Sequence, residues 1–285
     1  PMNTAKRLYS QAFAIFGLAH AYRVTRDERY LLAAKSVWKP VRLLMHEPSG
    51  GFVAQSDRLF VKHGSARSQN PIMHLFEALL AMHDATSDPE WLRHARDIAD
   101  FVLTRLMQKP SEDHRSIPEY YEADWKPQPS SRGGYIDLGH QAEWAWLLSA
   151  AAERGLPAYY IDIGGKLLDY AIASGYDRDR GGLYWRINDK GNVTRTKIWW
   201  VQSEFLRAAL RYEVAHGRTA LRALYDQTLG YVRAEFLDKE HGGWTPRPKS
   251  QCVKDTCKHQ ADVGYHIVGM HVDALRLSEM QAHPR

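Results

Sequence analysis

The chain has 285 residues, 44% hydrophobic and 25% charged, ordinary values for a globular protein that exclude a disordered or collagen-like chain. Mean hydropathy is negative, no run of 18 apolar residues occurs, and Pro1 to Tyr9 hold no apolar signal core, so neither a transmembrane helix nor a secretory leader is expected. The net charge of +5 is small and its basic residues are mixed with acidic ones, as in Arg178-Asp179-Arg180, so the basic stripe of a nucleic-acid binder is missing.

Residues 4–23 begin the helical pattern, with Leu8, Ala12, Ile15, Phe16 and Ala19 at spacings of three and four. Similar stretches predict helices at about 28–46, 70–85, 89–107, 138–154, 156–174, 198–215, 218–236 and 262–279. Strand-like pieces are short and fall in the connections, as at Leu183 to Ile187. A Gly-Gly pair followed closely by an aromatic recurs at Gly50-Gly51-Phe52, Gly181-Gly182-Leu183-Tyr184 and Gly242-Gly243-Trp244. The last step is 61 residues and the first is 131, about twice that. Glycine supplies positive φ where a helix ends and the chain reverses, so the unit is a helical hairpin. Gly133-Gly134-Tyr135 is out of phase and belongs to a long loop. Repeated hairpins make an open solenoid or a closed ring. Polar and aromatic residues at helical spacing on the inner helices suit a pocket, which favours an all-α toroid of the (α/α)6 type in a single domain, 1–285. Six hairpins need more residues than this chain has, so roughly the first three helices are expected to be absent.

Nine Trp, 15 Tyr and 14 His are high counts, and they suit an aromatic-lined pocket with imidazoles for proton transfer as well as a large core. Asn70, His74 and Glu77 lie at i, i+4 and i+7, with Asn70 as N-cap and Pro71 as first helical residue. A capping Asn with an incidental His and Glu would leave the same pattern. His140, Glu143 and Trp144 share a second helix face, and a carboxylate one turn from an imidazole can orient it. Trp200 and Glu204 are again i and i+4: an indole face for sugar C–H groups beside an acceptor for hydroxyls, or an ordinary core Trp. His266 opens the last helix, where the helix dipole favours a neutral ring able to act as a base.

Only two cysteines occur, Cys252 and Cys257, so no disulfide framework is expected, and with no leader the reducing cytoplasm is the expected compartment. With His259 they lack a fourth zinc ligand at standard spacing, so two unremarkable thiols and no metal are expected. No P-loop, Gly-x-Gly-x-x-Gly or Gly-x-Ser-x-Gly is present, so neither a nucleotide cofactor nor serine hydrolysis is expected.

At these residues the chain resembles the N-acylglucosamine 2-epimerase superfamily, with its cellobiose 2-epimerases, mannose isomerases and sulfoquinovose isomerases. Tyr9 to Leu18, Asn70 to Glu77, Gly139 to Trp144, Trp199 to Glu204 and Tyr265-His266 resemble its motifs in the family's order. The resemblance implies an (α/α)6 barrel and 1,2-proton transfer on a ring-opened aldose, with no metal or nucleotide. Carried over, the acid/base histidines are His140 and His266. Asn70, His74, Glu143, Trp200 and Glu204 line the sugar pocket or assist ring opening. Such toroids often pair, so a homodimer is the expected assembly, with a small sugar as substrate. The family's carbonyl-polarising Arg on an early inner helix has no match here, which implies completion by another chain, or lost activity. Glu119 to Pro127 and Glu143-Trp144 resemble the mannose and sulfoquinovose isomerase branch. Two other readings compete. An (α/α)6 glycosidase would use Glu143 and Glu204 as its paired carboxylates. A non-catalytic helical scaffold would bind a partner through its open edge.

Overall fold

The computed structural model describes residues 4–252 and 264–282. Among them are nine α-helices, joined by loops that carry two-residue strands. The chain packs as two compact units. The first comprises Pro1–Gln108, Ile117–Tyr135 and Glu153–Leu156. The second comprises Lys109–Ser116, Ile136–Ala152 and Pro157–Arg285.

In the first unit, α1 (Leu8–Thr25) and α2 (Glu28–Pro40) form one hairpin, and α3 (Gln69–Thr86) and α4 (Pro89–Phe101) form the next. Helix α1 packs along α3, burying Leu8, Ala12, Ile15 and Ala19. Helix α3 is buried on nearly every side, whereas α4 is one-sided, with Trp91, Ala95, Ile98 and Ala99 inward. The predicted start of α1 at residue 4 is four residues early. Lys6–Arg7 form β1, paired antiparallel with β2 (Gln55–Ser56), and this pairing takes the backbone groups a helix would have used. The stretches predicted as helix over 28–46 and 89–107 are each an α-helix that widens into a π turn, at Val41–Met45 and Val102–Leu106. In the first of these Pro40 removes a backbone donor at the junction. Asn70 is not the N-cap of α3. Ser68 is, with its hydroxyl accepting from the Asn70 amide at 3.3 Å, so Asn70 and Pro71 lie inside the first turn.

In the second unit, α5 (Leu138–Glu153), α6 (Tyr159–Gly175), α7 (Trp199–His216), α8 (Leu221–Glu235) and α9 (His266–Ala282) follow in order. Helix α7 packs against α6, α8 and α9. Between α7, α8 and α9 a cluster of Leu206, Tyr231, Val232, Phe236, Trp244, Ile267 and Met270 forms an apolar core. A three-stranded sheet joins Ile136–Asp137 to Arg186–Ile187 and Val193–Thr194, all antiparallel, so only the end of the strand-like 183–187 segment is a strand. The predicted start of the last helix, near 262, lies outside the described residues.

The Gly-Gly repeat is a real structural unit, seen as one hydrogen-bond pattern in three places. Isolated bridges pair His46 with Phe52, Tyr176 with Leu183, and Leu237 with Trp244. Each turn is closed by the same reciprocal bonds: Asp177 N–H to Gly182 O and Gly181 N–H to Asp177 O, then Asp238 to Gly243 and Gly242 to Asp238, with Glu47, Gly51 and Gly50 in the first copy. Gly181 and Gly182 have φ of 86° and 84°, and Gly242 and Gly243 both 77°, so the glycines are required by backbone conformation. Lys197 locks the middle copy from α7's approach. Its ammonium donates to Asp177 Oδ2 at 2.7 Å and Gly181 O at 2.6 Å while fully buried.

Cys252 is disulfide-bonded, which corrects the expectation of an unremarkable thiol there. Cys257 and His259 lie outside the described residues. No helix of the described residues is long and apolar enough to cross a membrane.

Candidate active site

The second unit gathers five of the seven residues singled out from sequence. Asp137, just before α5, caps it: its Oδ1 accepts from the Gly139 amide at 2.9 Å and the His140 amide at 3.3 Å, and its Oδ2 accepts from Trp185 Nε1 at 2.8 Å. This double anchor fixes where His140 leaves the helix. The His140 ring, buried, lies 4.9 Å from the Trp200 ring at 33°. The Trp200 ring also stacks on His266, 5.4 Å away at 28°. One indole at the start of α7 therefore touches both imidazoles. Gly139 makes that approach possible, because a Cβ there would lie 2.6 Å from Trp200 Cζ3.

His266 is the first residue of α9, with its side chain partly open to solvent. Its Nδ1 lies 2.7 Å from Oε1 of Glu204, a carboxylate with no solvent exposure. The carboxylate accepts, so Nδ1 carries the proton and Nε2 is left with a lone pair for proton transfer. Glu204 Oε2 faces Arg207 Nη1 at 3.6 Å, and Arg207 Nε donates to Asp273 Oδ2 at 3.2 Å. The Arg207 guanidinium lies over the Trp146 ring, 3.2 Å from its centroid. The Tyr265 hydroxyl donates to Glu143 Oε1 at 3.1 Å. Glu143, Glu204 and His266 bring ligand-type atoms within 4.8 Å of one another, a grouping able to hold a cation. Two of these three are already joined by the His266–Glu204 bond.

The remaining two predicted residues, Asn70 and His74, belong to the first unit, on α3. The His74 ring is buried, 4.7 Å from Phe13 and 5.1 Å from Tyr9, with Nδ1 3.6 Å from Glu77 Oε2. The predicted shared face of His74 and Glu77 is thus present. On α1, His20 packs edge-on against Phe16, and burial followed by the Arg23 charge pushes its imidazole below the ordinary value. A separate cavity of about 410 Å³ lined by Trp38, Lys39, Arg42, Trp91 and His94 holds none of the predicted residues.

Sequence reasoning missed four contributors: Asp137, Trp146, Arg207 and Tyr265. Signals for two were in the sequence. Arg207 stands three residues after Glu204, on the same face of α7, and Asp137 sits where an N-cap belongs before a helix. Tyr265 was noted only as the neighbour of His266, and its contact with Glu143 spans 122 residues.

In sequence and in fold the chain resembles known sugar epimerases and isomerases. It belongs to the N-acylglucosamine 2-epimerase family, whose model matches residues 1–270. Among curated relatives, the mannose-6-phosphate isomerase of Rhizobium meliloti (strain 1021) is 31% identical over 92% of this chain and 67% of its own length. The D-mannose isomerase of Marinomonas mediterranea is 29% identical over 62% of this chain and 47% of its own length. A crystal structure of D-mannose isomerase superposes with a TM-score of 0.86 at 24% identity, covering 95% of this chain and 72% of that one, so the fold is the (α/α)6 epimerase fold. The chain spans about half to two thirds of the length of the curated relatives it matches.

Proposed function

We propose that this chain moves the C2 proton of a ring-opened aldose, producing either the C2 epimer or the ketose. The observation that carries the reading is the pair of imidazoles, His140 and His266, set against one indole, with His266 tied to a buried carboxylate. The C2–H beside an aldehyde is a weak acid, and imidazole has the basicity to remove it near neutral pH. Nε2 of one histidine takes the proton. The resulting enediolate needs hydrogen-bond donors aimed at its oxygens. Reprotonation at C1 gives the ketose, and reprotonation at C2 from the opposite face gives the epimer. Trp200 supplies an apolar face for the sugar's C–H groups, and Glu143 and Glu204 supply acceptors for its hydroxyls. Asn70 and His74 are assigned to the sugar pocket on the family resemblance alone.

A glycosidase reading would need Glu143 and Glu204 as free acid and nucleophile. Glu204 is bonded to His266 and Glu143 to Tyr265, which supports the histidine chemistry over it. We take residues 1–285 as one domain, since a single family model runs through both units, and a homodimer as its assembly. A cytoplasmic location rests on the low cysteine count, and the disulfide at Cys252 counts against it.

The test is NMR of aldoses incubated with the protein in D2O: mannose, glucose, mannose 6-phosphate, N-acetylmannosamine, sulfoquinovose and cellobiose. Deuterium entering C1 or C2 of one sugar is expected, and the product names the subtype. No exchange with any of them, in a folded sample, refutes the proposal.

A further inference from the structure

We propose that Arg207, anchored by Asp273 and laid on Trp146, is a positioning residue that holds Glu204 in the orientation that presents Oε1 to His266. The inference rests on the proposed acid/base role of His266, and its first readout is independent of that role.

The geometry has three parts. Glu204 is wholly buried, and its two oxygens have different tasks: Oε1 holds Nδ1 of His266 at 2.7 Å, while Oε2 has no hydrogen-bond partner among the described residues and faces Arg207 Nη1 at 3.6 Å. A buried carboxylate oxygen is costly without a nearby cation, so the guanidinium makes this arrangement of Glu204 tenable. Arg207 is itself fixed on two sides. Asp273, one α9 residue seven positions after His266, accepts its Nε at 3.2 Å, and the Trp146 ring lies 3.2 Å beneath its Cζ. Helices α5, α7 and α9 thus each contribute one group to the clamp: Trp146, Arg207 and Asp273. Gly269, one turn after His266, lets the guanidinium sit close, since a Cβ there would be 3.4 Å from Cζ.

A planar fork matters here because one face must lie flat on an indole while the edge serves two carboxylates. Lysine keeps the charge but offers no plane and no fork. Without the clamp, Glu204 is free to rotate away, and Nδ1 of His266 loses its fixed acceptor. The ring then divides between its two neutral tautomers. Only the form with hydrogen on Nδ1 leaves Nε2 free to take a proton.

The experiment is ¹⁵N NMR of the histidine side chains in the full chain. The His266 signals are assigned by their loss in His266→Asn. In the wild-type protein His266 is expected as one neutral tautomer, protonated at Nδ1. Arg207→Met should give a mixture, Arg207→Lys an intermediate case, and Asp273→Asn a smaller change in the same direction, all in samples whose circular dichroism matches wild type. If the proposed reaction is found, kcat should fall about 10- to 100-fold in Arg207→Met, as for other residues that orient a working histidine, with KM within about threefold. An unchanged His266 tautomer in a folded Arg207→Met sample overturns the proposal. A shifted tautomer with no exchange on any aldose, even in wild type, leaves the clamp standing and refutes the proposed function instead.

Discussion

Lys197→Met should destabilise the second unit severely while leaving the residues of the candidate active site in place chemically. Lys197 is 1% exposed, yet its ammonium makes two short hydrogen bonds, to Asp177 Oδ2 and Gly181 O, and lies 3.9 Å from the Tyr231 ring centroid. Methionine fills the volume but returns none of these. Removing one partner of a buried ion pair costs about 3–5 kcal/mol, because the other charge is left stranded. Asp177 keeps the Asp179 and Arg180 amides on Oδ1, which places the expected loss at the lower end, near 3 kcal/mol. The assay is urea unfolding followed by circular dichroism, comparing midpoints at unchanged m. The double variant Lys197→Met with Asp177→Asn removes the stranded charge and should recover at least about 1 kcal/mol. A single-variant loss under about 1 kcal/mol, or a double variant no better than the single, would refute the reasoning that this pair clamps the Gly181-Gly182 turn.

The same pair has a pH signature. Burial would raise the Asp177 carboxyl, but Lys197 and the Arg180 and Asp179 amides outweigh it and hold it below the ordinary aspartate value of 3.8. Its contribution to stability is therefore full above about pH 3.8 and is lost as pH falls through the lower folded value, so the stability gap between wild type and Asp177→Asn should close on acidification below 3.8. His140→Ala and His266→Ala should each lower turnover by about 10²–10⁴-fold with the fold intact by circular dichroism, and near-normal rates in both would remove the acid/base assignment. Gly139→Ala forces a methyl into the Trp200 ring, with an expected cost of about 1–3 kcal/mol in urea unfolding. If activity is present, that variant should also lose it, because Trp200 is displaced from both imidazoles. Tyr265→Phe, read by steady-state kinetics, should change kcat by less than about tenfold, since it removes one hydrogen bond to Glu143 and leaves His266–Glu204 untouched.

Much of this arrangement was legible in the residues themselves. The sequence pattern located the nine helices of the described residues, most plainly α1 and α4, whose buried residues recur at three and four. Glu204 and Trp200 were visible as a pair from the same spacing. What one helix's period cannot carry is which neighbour an outward-facing group meets. Glu143 was read beside His140 because they share a helix face, whereas the contacts that tie these residues to α9 and its first turn, Glu204 to His266 and Tyr265 to Glu143, span 62 and 122 residues. The cap of α3 was misplaced for a simpler reason: Ser68 and Asn70 are both good N-caps, and Ser68 wins because its backbone is already extended, paired in a strand with Tyr120. The Gly-Gly spacing gave the hairpin period. The reciprocal backbone bonds that make each turn a copy of the others needed coordinates.

Helix α7 carries Trp200, Gln202, Glu204 and Arg207 in less than two and a half turns, and each has a fixed partner: His266 for Trp200 and Glu204, Leu183 for Gln202 and Asp273 for Arg207. This makes the chain far more sensitive to a change of length than to a change of letter at that place. Inserting one residue between Trp200 and Glu204 would turn everything after it by about 100°, carrying Glu204 off His266 and Arg207 off Asp273 together. The exposed hairpin tip at Asp189–Lys190–Gly191, upstream, faces solvent and should accept added residues far more readily. Among sequences that keep this chemistry, gaps and insertions should therefore gather at such tips and be purged from the first turns of α7, a pattern in the lengths of segments rather than in the identity of any one residue.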